Sequence, residues 1–309
     1  GVVTGSVVDW TKTQDGTPVE QLECGVRSYD WRPKLTKDGD LVMHHGDVTV
    51  PYPMKSAVRE MVAWCNANPA DEDLVVMYLW DCAGGDACLE AANNTLLDEG
   101  VRGIVYDAGD LQTLTIKDAL VMSALDGGGH LLVLFNTGVD QNYNSTLTCS
   151  GYKTGVDRAE VGPKHGAPGT EGLPAAELEA AAAWGAAHPE LLDLTYTCYN
   201  NSDDRAIPFT RMWDYVERTA RSPPPASGFL VENQVLWQET AESVSIGTLA
   251  GSSLLRDEYW SDLNKLLAAR LWSLPHISLL EVNAACDGGK LLHKLLRELF
   301  PLDPPDTTS

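Results

Sequence analysis

Three side chains near the start of the sequence have the types and spacing to work on a phosphoryl group. In the run Glu20-Gln21-Leu22-Glu23-Cys24-Gly25-Val26-Arg27-Ser28-Tyr29-Asp30-Trp31-Arg32-Pro33, strand alternation sets Ser28, Asp30 and Arg32 on one face and Arg27, Tyr29 and Trp31 on the other. Asp30 and Arg32 therefore point the same way near the carboxyl end of a strand. After a Lys37-Asp38-Gly39-Asp40 turn, Met43-His44-His45-Gly46 supplies the imidazole of His45, beside a glycine that lets backbone or ligand approach. A guanidinium forks onto two phosphate oxygens and an imidazole exchanges a proton near neutral pH, so the trio suits a phosphodiester. The same residue types equally make a buried Asp30–Arg32 ion pair with His45 exposed, and residue type alone does not choose between the two.

The elements that must hold these groups alternate between short apolar runs and amphipathic windows. Residues 25–32 and 41–45 read as extended. Residues 54–67 place Met54, Ala57, Val58, Met61, Val62 and Cys65 at helical spacing and stop at Asn68-Pro69. The runs 74–80 and 131–135 are almost continuously apolar, as strands buried on both faces are. Further strands are predicted at 101–106, 229–237 and 277–282. Helices are predicted at 87–97, 116–125, 175–187, 210–221, 253–272 and 290–300. Strand and helix alternate over some 300 residues, and no glycine-rich phosphate loop follows the first strand, which predicts a (β/α) barrel rather than an open sheet. Catalytic groups then gather at the carboxyl ends of the strands. Residues 1–300 are expected to form one domain, with a long insertion rich in Gly, Thr and Asn at about 140–172 and a Pro/Thr-rich extended tail at 301–309.

Composition limits the partners. The 309 residues include 44 acidic and 22 basic side chains, a formal charge of −22, which repels phosphate backbones and anionic lipid surfaces and excludes nucleic-acid binding by bulk electrostatics. With 44% hydrophobic and 21% charged residues there is material for a sizeable core, so disorder is not the main state. No run approaches the roughly 18 apolar residues of a membrane span, so no integral membrane segment is expected, and a start at Gly1 without a leader reads as processed or cropped.

Sequons at Asn93, Asn144 and Asn200, with the short loop from Cys82 to Cys88, favour a secreted glycoprotein over a cytosolic chain with buried thiols. The Cys82–Cys88 disulfide is expected on this ground, with Cys149 and Cys198 as a second candidate pair. Seven cysteines is an odd count, which leaves one thiol or a partner in another chain. There is neither a close pair of C-x-x-C elements nor a histidine pair at ligand spacing, so no zinc site is expected.

The segment EQLECGVRSYDWRP, then MHHG, then an amphipathic helix leading into ANPADEDLVVMYLWD, resembles the X domain of phosphatidylinositol-specific phospholipases C and the wider group of PLC-like phosphodiesterases. Trp10-Thr11-Lys12-Thr13-Gln14 resembles that family's approach to the Gly-Val-Arg strand. Order and spacing match over residues 10–81; beyond them only the rhythm of strand and helix does. The resemblance implies a distorted TIM-type barrel, here with its first strand missing or atypical, and in-line attack at phosphorus with one histidine as base and another as acid. His45 matches the acid. Asp30 and Arg32 match the acidic-x-basic pair of the metal-independent branch, in which the guanidinium stands where calcium lies in animal relatives; no metal and no cofactor are therefore implied.

Three departures accompany the match. The family's first catalytic histidine lies in a His-(Asp/Asn)-Ser turn, whereas no histidine precedes His44 here. The third strand ends in Trp80-Asp81, where relatives carry a lysine or a metal-binding acid, and 131–135 is followed by Asn136 where a basic residue is expected. Trp80, Asp81 and Asn136 are accordingly the candidate substrate-binding residues. Two functions follow as expectations. One is a calcium-independent phosphodiesterase acting on an inositol phospholipid or a related glycosylated phosphodiester, nearly inactive unless the missing base is supplied. The other is a catalytically inactive extracellular or matrix module on the same barrel, with assembly partners outside the cell.

Overall fold

The computed structural model describes residues 9–69, 74–102, 115–135, 139–142, 230–236, 253–261, 263–275 and 279–300, with single positions at 213, 216, 217, 220, 221, 248 and 277. The chain divides into two compact units. One is Gly16–Asp140 with Pro224–Leu230; the other comprises Gly1–Asp15, Gln141–Pro223 and Val231–Ser309.

The first unit begins with helix α1, Pro18–Glu23, whose start is written in four residues. The Thr17 hydroxyl accepts from the Glu20 N–H, the Glu20 carboxylate accepts from the Thr17 N–H, and Pro18 stands at the first helical position, where its missing N–H costs nothing. Gly25, at φ 98°, then turns the chain into β1, Ser28–Trp31. Strand β1 pairs in parallel with β5, Val75–Leu79, and β5 with β6, Leu131–Phe135, so that Asp30, Tyr78 and Leu134 lie side by side. Between β1 and β5 the chain builds a separate antiparallel sheet from β2 (Pro33–Leu35), β3 (Leu41–His45) and β4 (Val48–Val50).

The helices covering the parallel sheet are α2, Met54–Ala67, and α3, Asp86–Asp98. Met54, Ala57, Val58, Met61 and Cys65 form the inner stripe of α2, each at most 3% exposed, and meet Tyr29 and Trp31 of β1, Val75, Met77 and Leu79 of β5, and Leu131 and Val133 of β6. The alternate residues Tyr78, Leu132 and Leu134 are buried as well, so β5 and β6 are covered on both faces, as their unbroken apolar runs require. Helix α4, Ile116–Met122, capped by Thr115, precedes β6. A glycine run at 127–129 joins α4 to β6 by lying directly on the end of α2: the Gly129 N–H donates to Asn66 Oδ1 at 3.2 Å.

In the second unit β8, Leu230–Val235, runs parallel to β9, Leu279–Val282. The segment predicted as a single helix at 253–272 is α5, Leu254–Ser261, then α6, Leu263–Ala268, then a 3₁₀ turn at Leu271–Ser273. These and α7, Gly289–Leu299, bury Trp213, Val216, Val235, Leu266, Leu267, Leu271 and Leu295. The N-terminal segment docks on the loop after β9: Ala284 N–H donates to Thr13 O at 2.9 Å, and the Gln14 amide donates to Val282 O at 2.6 Å while accepting from Ala285 N–H at 2.8 Å.

The strands among the described residues, with β7 at Val139–Asn142, form three sheets of three, and among these residues no sheet closes into a barrel. The architecture is mixed α/β. The expected elements at 101–106 and 175–187, nearly all of the 140–172 insertion, the 301–309 tail, Asn136, Asn144, Asn200, Cys149 and Cys198 lie outside the described residues, wholly or in all but a few positions. The Cys82–Cys88 disulfide is present, with Cα atoms 5.8 Å apart. Cys24 and Cys286, which the sequence does not single out, are each disulfide-bonded too, and Cys65 is a thiol buried on the inner face of α2. No described helix is long and apolar enough to cross a membrane.

Candidate active site

The site is assembled where β1 and β5 end. Asp30 lies on the face of β1 opposite Tyr29 and Trp31, and Arg32, two residues on, shares its side. Arg32 binds Asp30 through two edges: Nε lies 3.2 Å from both carboxylate oxygens and an Nη2 lies 2.6 Å from Oδ2. The pair is partly exposed, at 23% for Arg32 and 26% for Asp30, rather than buried. Trp80, one residue past β5, completes it: the indole N–H donates to Asp30 Oδ1, and the Arg32 guanidinium lies over the indole ring, 4.1 Å from its centroid. A carboxylate, a guanidinium and an aromatic plane thus form one cluster at the carboxyl ends of two adjacent parallel strands. Stacking holds the guanidinium flat, while the carboxylate fixes its rotation about that plane.

Asp81 follows with φ 49°, a left-handed conformation unusual for a residue that is not glycine, and its side chain is exposed. The sequence-derived role for its carboxylate therefore meets a residue whose backbone carbonyl is what the neighbouring structure holds. That carbonyl accepts from His44 Nε2 at 2.7 Å. The other ring nitrogen of His44, Nδ1, is 3.0 Å from the Gly46 carbonyl oxygen, and the residue is only 7% exposed. His45, next in the strand, is exposed at the end of β3, opposite Val48 and just before Gly46 at φ 55°. The alternation of β3 buries Val42 and His44 and leaves His45 outside.

Sequence reasoning passed over His44. The available signal was parity with Val42, whose apolar side chain marks the inward face of a strand read to end at His45. Asn93 sits within α3, partly buried, and Thr95 of the same sequon donates its hydroxyl to Ala91 O at 2.8 Å. Among the described residues no group of three His, Cys, Asp or Glu side chains is placed to hold a metal ion.

The chain is thus a mixed α/β protein with an Asp–Arg–Trp cluster at the ends of parallel strands, and it resembles phosphatidylinositol-specific phospholipase C. Solved structures similar to it include that enzyme from Staphylococcus aureus, with 16% identity, 90% of this chain and 80% of the other covered, and a TM-score of 0.49. The enzyme from Listeria monocytogenes is 11% identical, with 95% and 87% covered and a TM-score of 0.46. No protein-family model and no curated protein sequence matches the chain.

Proposed function

We propose that this protein is a PLC-like phosphodiesterase domain working outside the cell on an inositol-type phospholipid or a related glycosylated phosphodiester. In this reading residues 1–300 form one distorted barrel, and the disulfides fit an oxidising compartment. The observation that carries the reading is the Asp30–Arg32–Trp80 cluster at the ends of β1 and β5, in a segment whose motifs resemble the family. Arg32 takes the non-bridging phosphate oxygens and offsets their charge without calcium. A hydroxyl oxygen attacks phosphorus and loses its proton to a base, the bond from phosphorus to the leaving oxygen breaks, and His45 gives that oxygen a proton. In the family that base is a histidine of the first turn; no histidine precedes His44 here, so water or an added imidazole must take the proton, and turnover by this chain alone is slow.

One observation favours the second reading, an inactive extracellular module. Both oxygens of Asp30 already engage Arg32, so the cluster is internally neutralised before any phosphate arrives. The two readings separate in an assay of phosphorylated headgroup release from vesicles containing phosphatidylinositol, run in EDTA. The enzyme reading requires release that His45→Ala abolishes and Arg32→Ala reduces by orders of magnitude. No release by the wild-type protein even with imidazole added to stand in for the missing base selects the inactive module, and release only on adding calcium refutes the metal-independent assignment.

A further inference from the structure

Two histidines stand side by side in β3, and the structure gives them different surroundings. We propose that His44 is a positioning residue that holds the Arg32–Trp80 stack from behind, leaving His45 as the imidazole exposed to a substrate. The proposal deepens the phosphodiesterase reading by dividing labour within its site, yet its geometric half stands whether or not the protein turns over a substrate.

The argument begins with what His44 touches. Its backbone N–H donates to the Arg32 carbonyl at 3.0 Å, and its side chain reaches the Asp81 carbonyl at 2.7 Å. One residue therefore holds the backbone at Arg32 and again at Asp81, immediately after Trp80. Arg32 and Trp80, whose side chains stack, each carry or adjoin one of these anchor points. Asp81 needs such a hold, because a non-glycine residue in the left-handed region costs about 1–3 kcal/mol and persists only where neighbours over-determine it. The remaining constraints act just downstream: Ala83 N–H donates to Pro33 O at 2.9 Å, Leu35 N–H donates to Ala83 O at 2.9 Å, and Cys82 is tied to Cys88. None of them grips the Asp81 carbonyl itself.

The other edge of the ring faces the β3–β4 turn, with Nδ1 3.0 Å from the Gly46 carbonyl oxygen; a neutral imidazole donates to one of the two carbonyls and an imidazolium to both, and in either form the ring is packed between them. The same turn carries His45. Through this one ring, the position of the exposed imidazole and that of the Arg32–Trp80 stack are set together. Only a group with two polar edges on opposite sides of a flat ring spans both carbonyls in so little space.

The test reads the stack directly, by NMR of the Trp80 indole N–H, assigned through Trp80→Phe, and of the Arg32 Nε–H. In wild type both signals are expected to be shifted by the ring and carboxylate and protected from solvent exchange. His44→Phe should remove that protection and move the indole signal toward that of an exposed tryptophan, with far-UV circular dichroism unchanged. His45→Ala should leave both signals in place. His44→Gln, whose amide carries two N–H donors, should restore part of the protection. Should His44→Phe not fold, His44→Asn, too short to reach Asp81, carries the same expectation. Retention of both signals in the His44 variant that folds overturns the proposal, and so does equal loss in His45→Ala. Headgroup release plays no part in this readout, so failure of the phosphodiesterase reading is distinguishable from failure of this one.

Discussion

The run Gly127-Gly128-Gly129 offers a test of the packing that positions β6, because each glycine is required for a different reason. A Cβ on Gly129 would lie 2.3 Å from both the carbonyl carbon and oxygen of Cys65 and 2.7 Å from Asn66 N, all backbone atoms at the end of α2. Relief requires the loop and the helix end to separate by roughly an ångström, the gap between those distances and ordinary contact, and overpacking of this kind costs about 1–3 kcal/mol. The Gly129 N–H bond to Asn66 would go with it, adding about 0.5–1.5 kcal/mol, so Gly129→Ala should cost about 1.5–4.5 kcal/mol in all. At Gly127 the obstacles are Asn66 Cγ at 2.4 Å and Oδ1 at 2.5 Å, which can rotate at the expense of the bond to Gly129, and Asn66 Cβ at 2.7 Å, which rotation does not move. At Gly128 space is ordinary, Pro69 Cβ being 3.6 Å away, but φ is 90°, so alanine pays conformational strain of about 1–2 kcal/mol. Urea unfolding of the three alanine variants, together with asparagine at 128 and 129, separates the causes. Asparagine tolerates the left-handed region and should partly rescue position 128 while leaving 129 as damaged as alanine does. A cost under about 1 kcal/mol for Gly129→Ala, or one no larger than that of Gly128→Ala, would refute the close approach.

Other outcomes follow from single contacts. Thr17→Ala removes the cap of α1 and should cost about 1 kcal/mol, most of it restored by Thr17→Asp, measured by urea unfolding. Arg32→Lys keeps the charge but loses the two-edged fit to Asp30 and the flat stack on Trp80; it should abolish protection of the Trp80 indole with little loss of melting temperature, since the pair is partly exposed. Hydrogen bonds from Arg59 hold the Glu99 carboxyl below its ordinary value of 4.5. The stabilisation from that pair is therefore complete above pH 4.5 and lost as pH falls through the lowered value, so the acid-induced loss of stability should shrink in Glu99→Gln. With a formal charge of −22, the protein should melt higher as sodium chloride rises from about 0.01 to about 0.15 M, where the screening length falls from about 30 to about 8 Å. A flat salt response would mean the acidic groups are already compensated by local pairing.

What the sequence makes legible depends on how local the cause is. Helix α2 is written in one stripe, and its observed bounds of Met54–Ala67 coincide with the periodicity. Strands β5 and β6 show as unbroken apolar runs because both faces are covered. Helix α1 was not read from the sequence: its six residues are too few to show a stripe, and the Thr17-Pro18-Val19-Glu20 cap was the one signal that could have found it. The break at Arg32 is not local: residues 25–32 look like one extended run, yet the chain leaves the parallel sheet there and starts an antiparallel one, a change set by pairing with Met43 and its neighbours. The Asp30 and Arg32 side chains could be placed on one face from alternation alone. That Trp80 would join them depended on the register of β1 against β5, in which Trp31 lies beside Leu79. Which of His44 and His45 faces inward follows from parity with Val42, whereas the group that His44 meets there is a carbonyl 37 residues downstream.

The thiol of Cys65, sealed between α2 and the parallel sheet in a protein whose Cys24, Cys82, Cys88 and Cys286 are all oxidised, sets an order of events during maturation. In the unfolded chain every sulfur is accessible, and a thiolate attacks any disulfide it can reach. Cys82 and Cys88 are six residues apart and meet early, whereas Cys65 is protected only once the helix has packed on the parallel sheet. Strand β1 must find β5 across 48 residues, as in the pairing of Ser28 with Val76, before that cover exists. Until then Cys65 competes for partners. Yield on oxidative refolding is thus governed by a race between sheet closure and thiol exchange, and slightly acidic buffer, which slows exchange by keeping thiols protonated, tilts that race toward the native pairing.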